Sequence, residues 1–170
     1  MSFTSPYRVT GFCGAVVPRV AAITGHRQVT HKDTLRIFNA MRGLVANTNV
    51  DAIYFGGALG ADTEALKAAL EIRALSGKDT PSLVVVVPDV LESQPLATHE
   101  WSRKADRIIE LQNRLHLKSS YKTRNQYLVD NCAFLVGFWR AEDYKSGTYQ
   151  TLQMASKSGK PVYVIPMEMT

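Results

Sequence analysis

The sequence predicts an α/β fold, a Rossmann-like three-layer domain with a mostly parallel central sheet. Short apolar runs alternate along the 170 residues with longer segments whose apolar residues recur at helical spacing. Residues 82–88, SLVVVVP, contain four consecutive valines, and such an uninterrupted β-branched run is typical of a parallel strand that is covered on both faces. Strands that alternate with helices at this spacing favour a parallel sheet with right-handed crossovers.

The predicted strands are apolar runs that end at a glycine, a proline or a polar turn. They are residues 19–24 (RVAAIT), 51–56 (DAIYFG), 82–88 (SLVVVVP), 133–139 (AFLVGFW) and 160–166 (KPVYVIP). Residues 1–18 contain turn formers without a sustained period. We therefore expect a loosely ordered N-terminal arm over 1–18, followed by one domain over 19–170.

The predicted helices lie between these strands, over residues 29–45, 62–77, 121–131 and 148–159. Thr30 is the expected N-cap of the first helix, with Asp33 in its first turn, and Gly77 is the natural stop of the second. The apolar residues of the first helix at helical spacing are Leu35, Phe38, Met41 and Val45. Residues 98–112 have helical potential from Thr98, although 107–111 (RIIEL) can instead form a short strand.

Composition and charge narrow the function classes. The net charge of +5 favours anionic partners. Two cysteines, Cys13 and Cys132, are too few for a disulfide framework, and the four histidines show no metal-ligand spacing. No apolar stretch approaches the roughly 20 residues of a membrane helix, and the N-terminus lacks the layout of a secretion signal. We expect a cytoplasmic protein with reduced thiols, no membrane contact, no metal and no cofactor.

Polar, glycine-rich segments follow three of the predicted strands, at residues 24–27 (TGHR), 56–62 (GGALGAD) and 143–148 (DYKSGT). Because the carboxyl ends of parallel strands lie at one edge of a sheet, where such folds bind ligands, we expect these segments to converge on one crevice. The N–H groups at a helix start attract anions. The sequence therefore predicts a site for a phosphorylated, nucleotide-like ligand.

The candidate ligand-binding residues come from these three segments and from the start of the helix at 121–131. They are Thr24, Gly25, His26, Arg27, Gly56, Gly57, Gly60, Asp62, Lys122, Arg124, Asn125, Ser146, Gly147 and Thr148. Arg27 can make a charge-assisted, bidentate contact with a phosphate. The hydroxyl groups and the three residues from 121–131 supply further hydrogen bonds.

Simpler interpretations stay open for each of these features. Asp62 can serve only as a helix N-cap, and the glycines can serve only turn geometry. His26 can be a packed loop residue rather than a catalytic base. Trp101, Trp139 and Tyr149 are interpreted as core or rim residues rather than base-stacking platforms, although Trp139 and Tyr149 flank the third segment.

The chain resembles the SLOG superfamily in four segments that occur in the family's order. They are AITGHR, GGALGADTEAL, KTRNQYLVDNCAFLVGFW and KSGTYQTLQMASKSGKPVYVI. The similarity covers about residues 19 to 166 and is closest to the YpsA-like and DprA-like branches. It implies a Rossmann-like domain that binds a nucleotide or a nucleotide-derived ligand, and a homodimer, because family members often dimerise.

The superfamily includes the "lonely guy" phosphoribohydrolases, formerly labelled lysine decarboxylases, which release a base from a nucleoside monophosphate. In their signature, PGGxGTxxE, the glutamate takes part in catalysis. The corresponding stretch here is YKSGTYQT, in which Gly147 and Thr148 match but Thr151 takes the glutamate position. Threonine cannot supply the negative charge that N-glycosidic cleavage needs. Hydrolase activity is therefore not expected unless Asp62 or Glu64 provides the carboxylate instead.

Three functions follow from the resemblance. A module that senses or sequesters a nucleotide-derived small molecule fits a compact domain best and is the main expectation. A nucleoside monophosphate N-glycosidase is the second. The third is single-stranded DNA binding, because the DprA branch binds single-stranded DNA while loading a recombinase. The basic charge is compatible with DNA, but the sequence shows no interleaving of aromatic and basic residues typical of a base-stacking track.

Overall fold

The computed structural model describes residues 18–47 and 49–168, in which six strands alternate with helices. The strands are β1 (Val20–Gly25), β2 (Ala52–Phe55), β3 (Ser82–Val87), β4 (Arg107–Glu110), β5 (Phe134–Trp139) and β6 (Val162–Pro166). The α-helices are α1 (His31–Asn47), α2 (Ala61–Ser76), α3 (Leu96–Lys104), α4 (Leu117–Asp130) and α5 (Gly147–Lys157), and a 3₁₀-helix covers Leu91–Ser93. The predicted arm over 1–18 lies outside the described residues, apart from Pro18.

The strands form one sheet in the order β4-β3-β2-β1-β5-β6, and every neighbouring pair is parallel. The predicted fold class is confirmed. Strands β1 to β4 step outward in one direction from β1, whereas β5 and β6 step outward in the other. The chain therefore reverses direction across the sheet between β1 and β5. In open parallel sheets the crevice beyond the carboxyl ends of two such strands is where ligands bind.

Two helical layers cover the two faces of the sheet, and alternate residues of β3 pack against each of them. Leu83, Val85 and Val87 face the core that is packed by α1 and α2. Val84 and Val86 face a second core, packed by α4 and α5. Because alternate side chains of a strand point to opposite faces, a strand that is buried on both faces needs an unbroken apolar run.

The start of α1 and the end of α2 follow local capping rules. The Thr30 hydroxyl accepts from the Asp33 N–H at 3.2 Å, and the Asp33 carboxylate accepts from the Thr30 N–H at 2.9 Å. The predicted N-cap is confirmed, as is the stop at Gly77, which is left-handed with φ 67°. The expected apolar face of α1 is partly wrong, because Leu35 is 55% exposed. Met41 is fully buried as predicted, and Ile37, which was not among the expected residues, is fully buried beside it.

The segment over 98–112 is a helix followed by a strand, so the short-strand alternative is the correct one. Helix α3 ends at Lys104, and Arg107–Glu110 pairs with Val84–Val87 as edge strand β4. The Asp106 carboxylate accepts from the Leu83 N–H at 2.7 Å, which holds the start of the pairing. No helix among the described residues is long and apolar enough to cross a membrane.

Candidate functional site

A pocket of about 270 Å³ opens where β1 and β5 end, at the point where the strand order reverses. The residues that line it are Thr24, Gly25, His26, Arg27, Ala58, Asp62, Tyr121, Arg124, Asn125, Ser146, Gly147 and Thr148. The structure thus brings together parts of all three predicted segments and the helix that precedes β5. A larger depression of about 410 Å³ lies between α1 and β6, but its lining carries no charged side chain. The first pocket is therefore the candidate site.

Helix α4 contributes three residues to the pocket, and their spacing places all three on the same face of the helix. Tyr121, Arg124 and Asn125 are three and four positions apart, so they share one face of the helix. Lys122, one of the predicted binding residues, is exposed and lines a separate depression with Thr123 instead. One residue corresponds to about 100° around a helix, so Lys122 is turned away from the face that carries Tyr121.

Arg124 is a buried cation with neutral hydrogen-bond partners. Its Nη1 donates to the Gly56 carbonyl oxygen, and its Nε donates to the Asn125 side-chain oxygen at 2.8 Å. The side chain is 6% exposed, and this burial lowers the pKa of Arg124. The Asp62 carboxyl acts on this buried charge through space, whereas the direct hydrogen bonds of Arg124 go to neutral groups.

Asp62 is the second residue of α2 and is not its N-cap. Its Oδ2 accepts from the Ala58 N–H at 3.3 Å, outside the helix. Its Oδ1 is buried and has no hydrogen-bond partner among the described residues. Burial raises the pKa of Asp62 to about 6, against the opposing attraction of Arg124. The wall of the pocket therefore contains a buried carboxyl oxygen without a hydrogen-bond partner among the described residues.

The glycines of the second segment pack the loops together and do not line the pocket. A Cβ on Gly60, where φ is 85°, would overlap the Arg27 backbone. A Cβ on Gly56 would lie 2.7 Å from Asp62 Oδ2 and 2.9 Å from Arg124 Nη1. Gly56, Gly57 and Gly60 are absent from the lining, so the turn-geometry interpretation describes them better than ligand contact.

His26 joins the loops after β1 and β5. Its Nε2 accepts from the Arg140 N–H at 2.9 Å, and its Nδ1 lies 3.6 Å from Asp143 Oδ2. Its carbonyl oxygen accepts from the Ala61 N–H at 2.9 Å, which occupies the first donor of α2. Burial and the positive charge of Arg140 lower the pKa of His26. The imidazole is neutral with Nε2 as its acceptor nitrogen, so it fixes the pocket wall and is not a free base.

The start of α5 is the open helix end of the site. Ser146 is the N-cap, and its hydroxyl accepts from the Tyr149 N–H at 3.1 Å. The earlier N–H groups of this turn belong to Gly147 and Thr148, which line the pocket and have no acceptor within the helix. An anion in the pocket would meet these two donors and the positive end of the helix dipole.

Tyr121, which is not among the predicted site residues, lies close to two cations. The guanidinium carbon of Arg27 lies 4.8 Å from the ring centroid of Tyr121, and that of Arg124 lies 5.5 Å from it. Both distances are within the range of cation–π attraction. The helical spacing of Tyr121 from the predicted Arg124 is the sequence signal that would have found it.

The candidate catalytic carboxylates are separated by the structure. Asp62 lines the pocket, whereas Glu64 is absent from the lining and lies 3.3 Å from Lys67 Nζ. Thr151 is fully buried, and its hydroxyl donates to the Gly147 carbonyl oxygen at 2.8 Å. The side chain at the glutamate position of the hydrolase signature is therefore directed into its own helix.

Comparison with known proteins places the chain in a family. The family model for DNA recombination-mediator protein A matches residues 9–170, whereas no curated protein matches the sequence. DNA processing protein A from Helicobacter pylori, solved to describe its single-stranded DNA binding mode, is 24% identical, with a TM-score of 0.71 over 91% of this chain and 68% of that one. The protein of that name from Streptococcus pneumoniae is 22% identical, with a TM-score of 0.68 over 89% and 51%.

The solved relatives share the fold of this chain, which spans about two thirds of one and about half of the other. The family match covers nearly the whole chain, and it agrees with the resemblance to the DprA-like branch that the four glycine-containing segments carry. That resemblance is confirmed. The chain belongs to the DNA recombination-mediator protein A family.

Proposed function

We propose that this protein binds single-stranded DNA, with one nucleotide of the strand in the pocket at the ends of β1 and β5. One observation carries the proposal: the guanidinium groups of Arg27 and Arg124 both lie within about 6 Å of the Tyr121 ring centroid, in the pocket that contains the open start of α5. Single strands present both a phosphate and an unstacked base, and cations combined with an aromatic ring suit both.

The pocket residues divide between these two parts of a nucleotide. The N–H groups of Gly147 and Thr148 and the Arg27 guanidinium suit a phosphate. The Tyr121 ring and the plane of the exposed Arg27 guanidinium suit a base face. Family membership and the net charge of +5 support DNA as the ligand that supplies this phosphate and base. The single-stranded DNA binding of the H. pylori relative supports it as well.

Arg27→Ala tests the proposal, because Arg27 is exposed and its loss leaves the buried wall intact. In fluorescence anisotropy with a labelled oligothymidylate of about 20 nucleotides, we expect a loss of affinity of about 10-fold or more, the value of one charge-assisted contact. The slope of log K against log salt should also become shallower by about 0.7.

Lys78→Ala is the matched control, since it removes one exposed charge just beyond α2, at the opposite edge of the sheet. Its affinity should stay within about 2-fold of the wild type. Equal losses in the two variants would mean that DNA is held by overall charge and not by this pocket. An unmodified protein that binds no oligothymidylate at low salt would refute the proposed function.

A free nucleotide is the second candidate ligand, and the pocket volume favours it. About 270 Å³ is near the lower end of small-molecule sites and accommodates a single nucleotide better than a dinucleotide. A thermal-shift series of nucleoside mono-, di- and triphosphates, checked by chromatography for breakdown, separates the candidates. A nucleotide that raises Tm in a protein without DNA affinity would favour a sensing module.

Two other expectations stay predictions. An N-glycosidase would need Asp62 as its carboxylate, and the same chromatography would detect the released base. The homodimer inferred from the resemblance is tested by the sedimentation of the purified protein.

A further inference from the structure

Three aromatic rings form a cluster at the loop between β5 and α5, next to the pocket along the chain and here called the rim cluster: Trp139, Tyr144 and Tyr149. The ring of Trp139 is stacked on that of Tyr149 at a centroid distance of 5.6 Å and an interplanar angle of 27°. Tyr144 meets Tyr149 edge to face at 5.1 Å, and it meets Trp139 at 5.7 Å with an interplanar angle of 55°. These distances are typical of attractive aromatic pairs, so the three rings form one surface.

The rim cluster is held in place but remains open to solvent. Trp139 Nε1 donates to the Asp143 carbonyl oxygen at 3.0 Å, which fixes the loop that carries Tyr144. Gln153 donates to the Tyr149 hydroxyl. Tyr144 nevertheless remains 59% exposed, although tyrosine can usually bury more of its ring. A rigid but exposed aromatic surface is what a stacking platform needs and what a core does not.

The rim cluster is continuous with the pocket along the chain. Tyr144 precedes Ser146 by two residues, which limits the distance between their Cα atoms to about 7.6 Å. Tyr149 directly follows Thr148, so the donors at the start of α5 lie between the two tyrosines. A strand whose phosphate is bound at this helix start therefore passes within reach of Tyr144.

Two lysines lie beside the rim cluster, in a surface that also carries Glu142 and Asp143. Lys145 is exposed within the same loop. A shallow depression of about 500 Å³ is lined by Trp139 and Tyr149 and, farther along α5, by Lys157. Aromatic rings interleaved with cations are typical of sequence-tolerant single-strand tracks. The sequence pattern did not reveal this interleaving, because residues 139 to 157 come together only when β5 and α5 pack.

We propose that the rim cluster stacks a base of the nucleotide that is adjacent to the one in the pocket, so that single-stranded DNA is held by at least two consecutive nucleotides. This inference rests on the proposed function. Tyr144 supplies the exposed ring, and Trp139 and Tyr149 hold that ring in position. It assigns a binding role to aromatic residues that were interpreted as core or rim residues from the sequence.

Tyr144→Ala and Tyr144→Phe, each with labelled oligothymidylate, test the inference. The alanine variant should lose about 5- to 100-fold in affinity, the range for one stacked base, whereas phenylalanine keeps the ring and should restore binding. A second oligomer with abasic sites in place of its bases isolates stacking. On that backbone, Tyr144→Ala and the unmodified protein should bind equally.

The fluorescence of Trp139 distinguishes base stacking on the rim cluster from a purely structural role of these residues. In a Trp101→Phe background, Trp139 is the remaining tryptophan. Oligothymidylate should quench its emission, and the abasic oligomer should not. Leu75→Ala serves as the control for the loss of an exposed apolar side chain, because Leu75 is 79% exposed near the end of α2, at the opposite edge of the sheet.

The outcomes separate this inference from the function on which it rests. If the unmodified protein binds DNA and Arg27→Ala weakens it, but Tyr144→Ala does not, the rim cluster has no role in binding and the proposed function stands. If Tyr144→Ala, relative to the unmodified protein, loses as much affinity for the abasic backbone as for the normal strand, the residue acts through the loop and stacking is excluded. If the unmodified protein binds no single strand, both proposals fail.

Discussion

Asp62 lies in the candidate site with one oxygen unpaired, and its protonation couples the pocket to pH. Burial raises the pKa of this carboxyl from 3.8 to about 6. Between these two values the folded protein holds a proton that the unfolded chain has released. The stability contributed by Asp62 is therefore fully present below about pH 3.8 and is lost as the pH rises through about 6.

Replacing Asp62 with asparagine should remove this pH dependence. The side chain keeps its shape and its acceptor oxygen but cannot ionise. Relative to the unmodified protein, the free energy of unfolding of Asp62→Asn should rise between pH 4 and 7, by on the order of 3 kcal/mol for two units of pKa shift. Urea unfolding at both pH values measures it. Parallel pH profiles for the two proteins would mean that Asp62 is not protonated in the fold.

The residues of the site differ in how visible they are in the sequence. Arg27 and Ser146 follow directly from glycine-rich turns after strands, and the structure places both on the pocket. Tyr121 and Ala58 were missed because an aromatic or an alanine in a helix or loop is ambiguous until its neighbours are known. Lys122 was included because it is basic, although its direction depends on a helical phase that a single charged residue does not reveal.

Helix α5 combines a stability role and a binding role in one residue. The Ser146 hydroxyl caps the helix, while the donors beyond it remain open to the pocket. Capping by a side-chain oxygen contributes about 1 kcal/mol, and aspartate caps as well as serine does. The two roles can therefore be separated by choosing between a neutral and a negative replacement.

Two variants of Ser146 should separate them. Ser146→Ala should lower the free energy of unfolding by about 1 kcal/mol. Ser146→Asp should keep the stability of the unmodified protein but weaken oligothymidylate binding, because its charge repels a phosphate at the same helix start. Thermal unfolding and anisotropy on both variants provide the measurement. If the aspartate variant binds DNA as well as the unmodified protein does, no phosphate of the DNA binds at this end of the pocket.

The elements themselves were predictable wherever an apolar period was strong. Strand β3 and helices α2 and α5 appear close to their expected positions. Edge strand β4 was ambiguous because RIIE is only half-buried and fits either period. Helix α4 begins at Leu117, four residues before the expected start. The sequence does not predict this first turn, because LKSS carries no apolar period. Its first turn is held by tertiary contact instead, since Ser120 Oγ donates to the Asn113 carbonyl oxygen at 3.0 Å.

Asp33 ties distant parts of the whole molecule together. Its carboxylate is fully buried and accepts from the Thr30 N–H at 2.9 Å and the Glu168 N–H at 2.7 Å. Arg140 Nη2 lies 3.7 Å away. Burial alone would raise the pKa of Asp33, but these hydrogen bonds and the charge of Arg140 outweigh it and hold the pKa below 3.8. The Asp33 carboxylate thus connects the start of α1 with the loop after β5 and with the residues that follow β6.

Asp33→Ala should destabilise the whole protein. Removal leaves the partly buried N–H groups of Thr30 and Glu168 without their acceptor and takes a carboxylate away from Arg140, which costs about 3 kcal/mol of unfolding free energy at pH 7. The loss should shrink as the pH falls below 3.8, because the unfolded chain then takes up a proton at Asp33 before the folded carboxyl, whose pKa is lower, does so. Urea unfolding at pH 7 and pH 3 tests both parts. An unchanged midpoint at pH 7 would show that the network contributes nothing net.

The walls of the candidate site come from both helical layers. Asp62 belongs to α2 on one face of the sheet, whereas Tyr121 and Arg124 belong to α4 on the other. A chain in which only one layer has docked, during synthesis or after heat damage, therefore has no complete pocket. Ligand would select for fully assembled molecules and slow proteolysis of the entire domain, not of one loop. Ligand binding is in this way coupled to the docking of both helical layers.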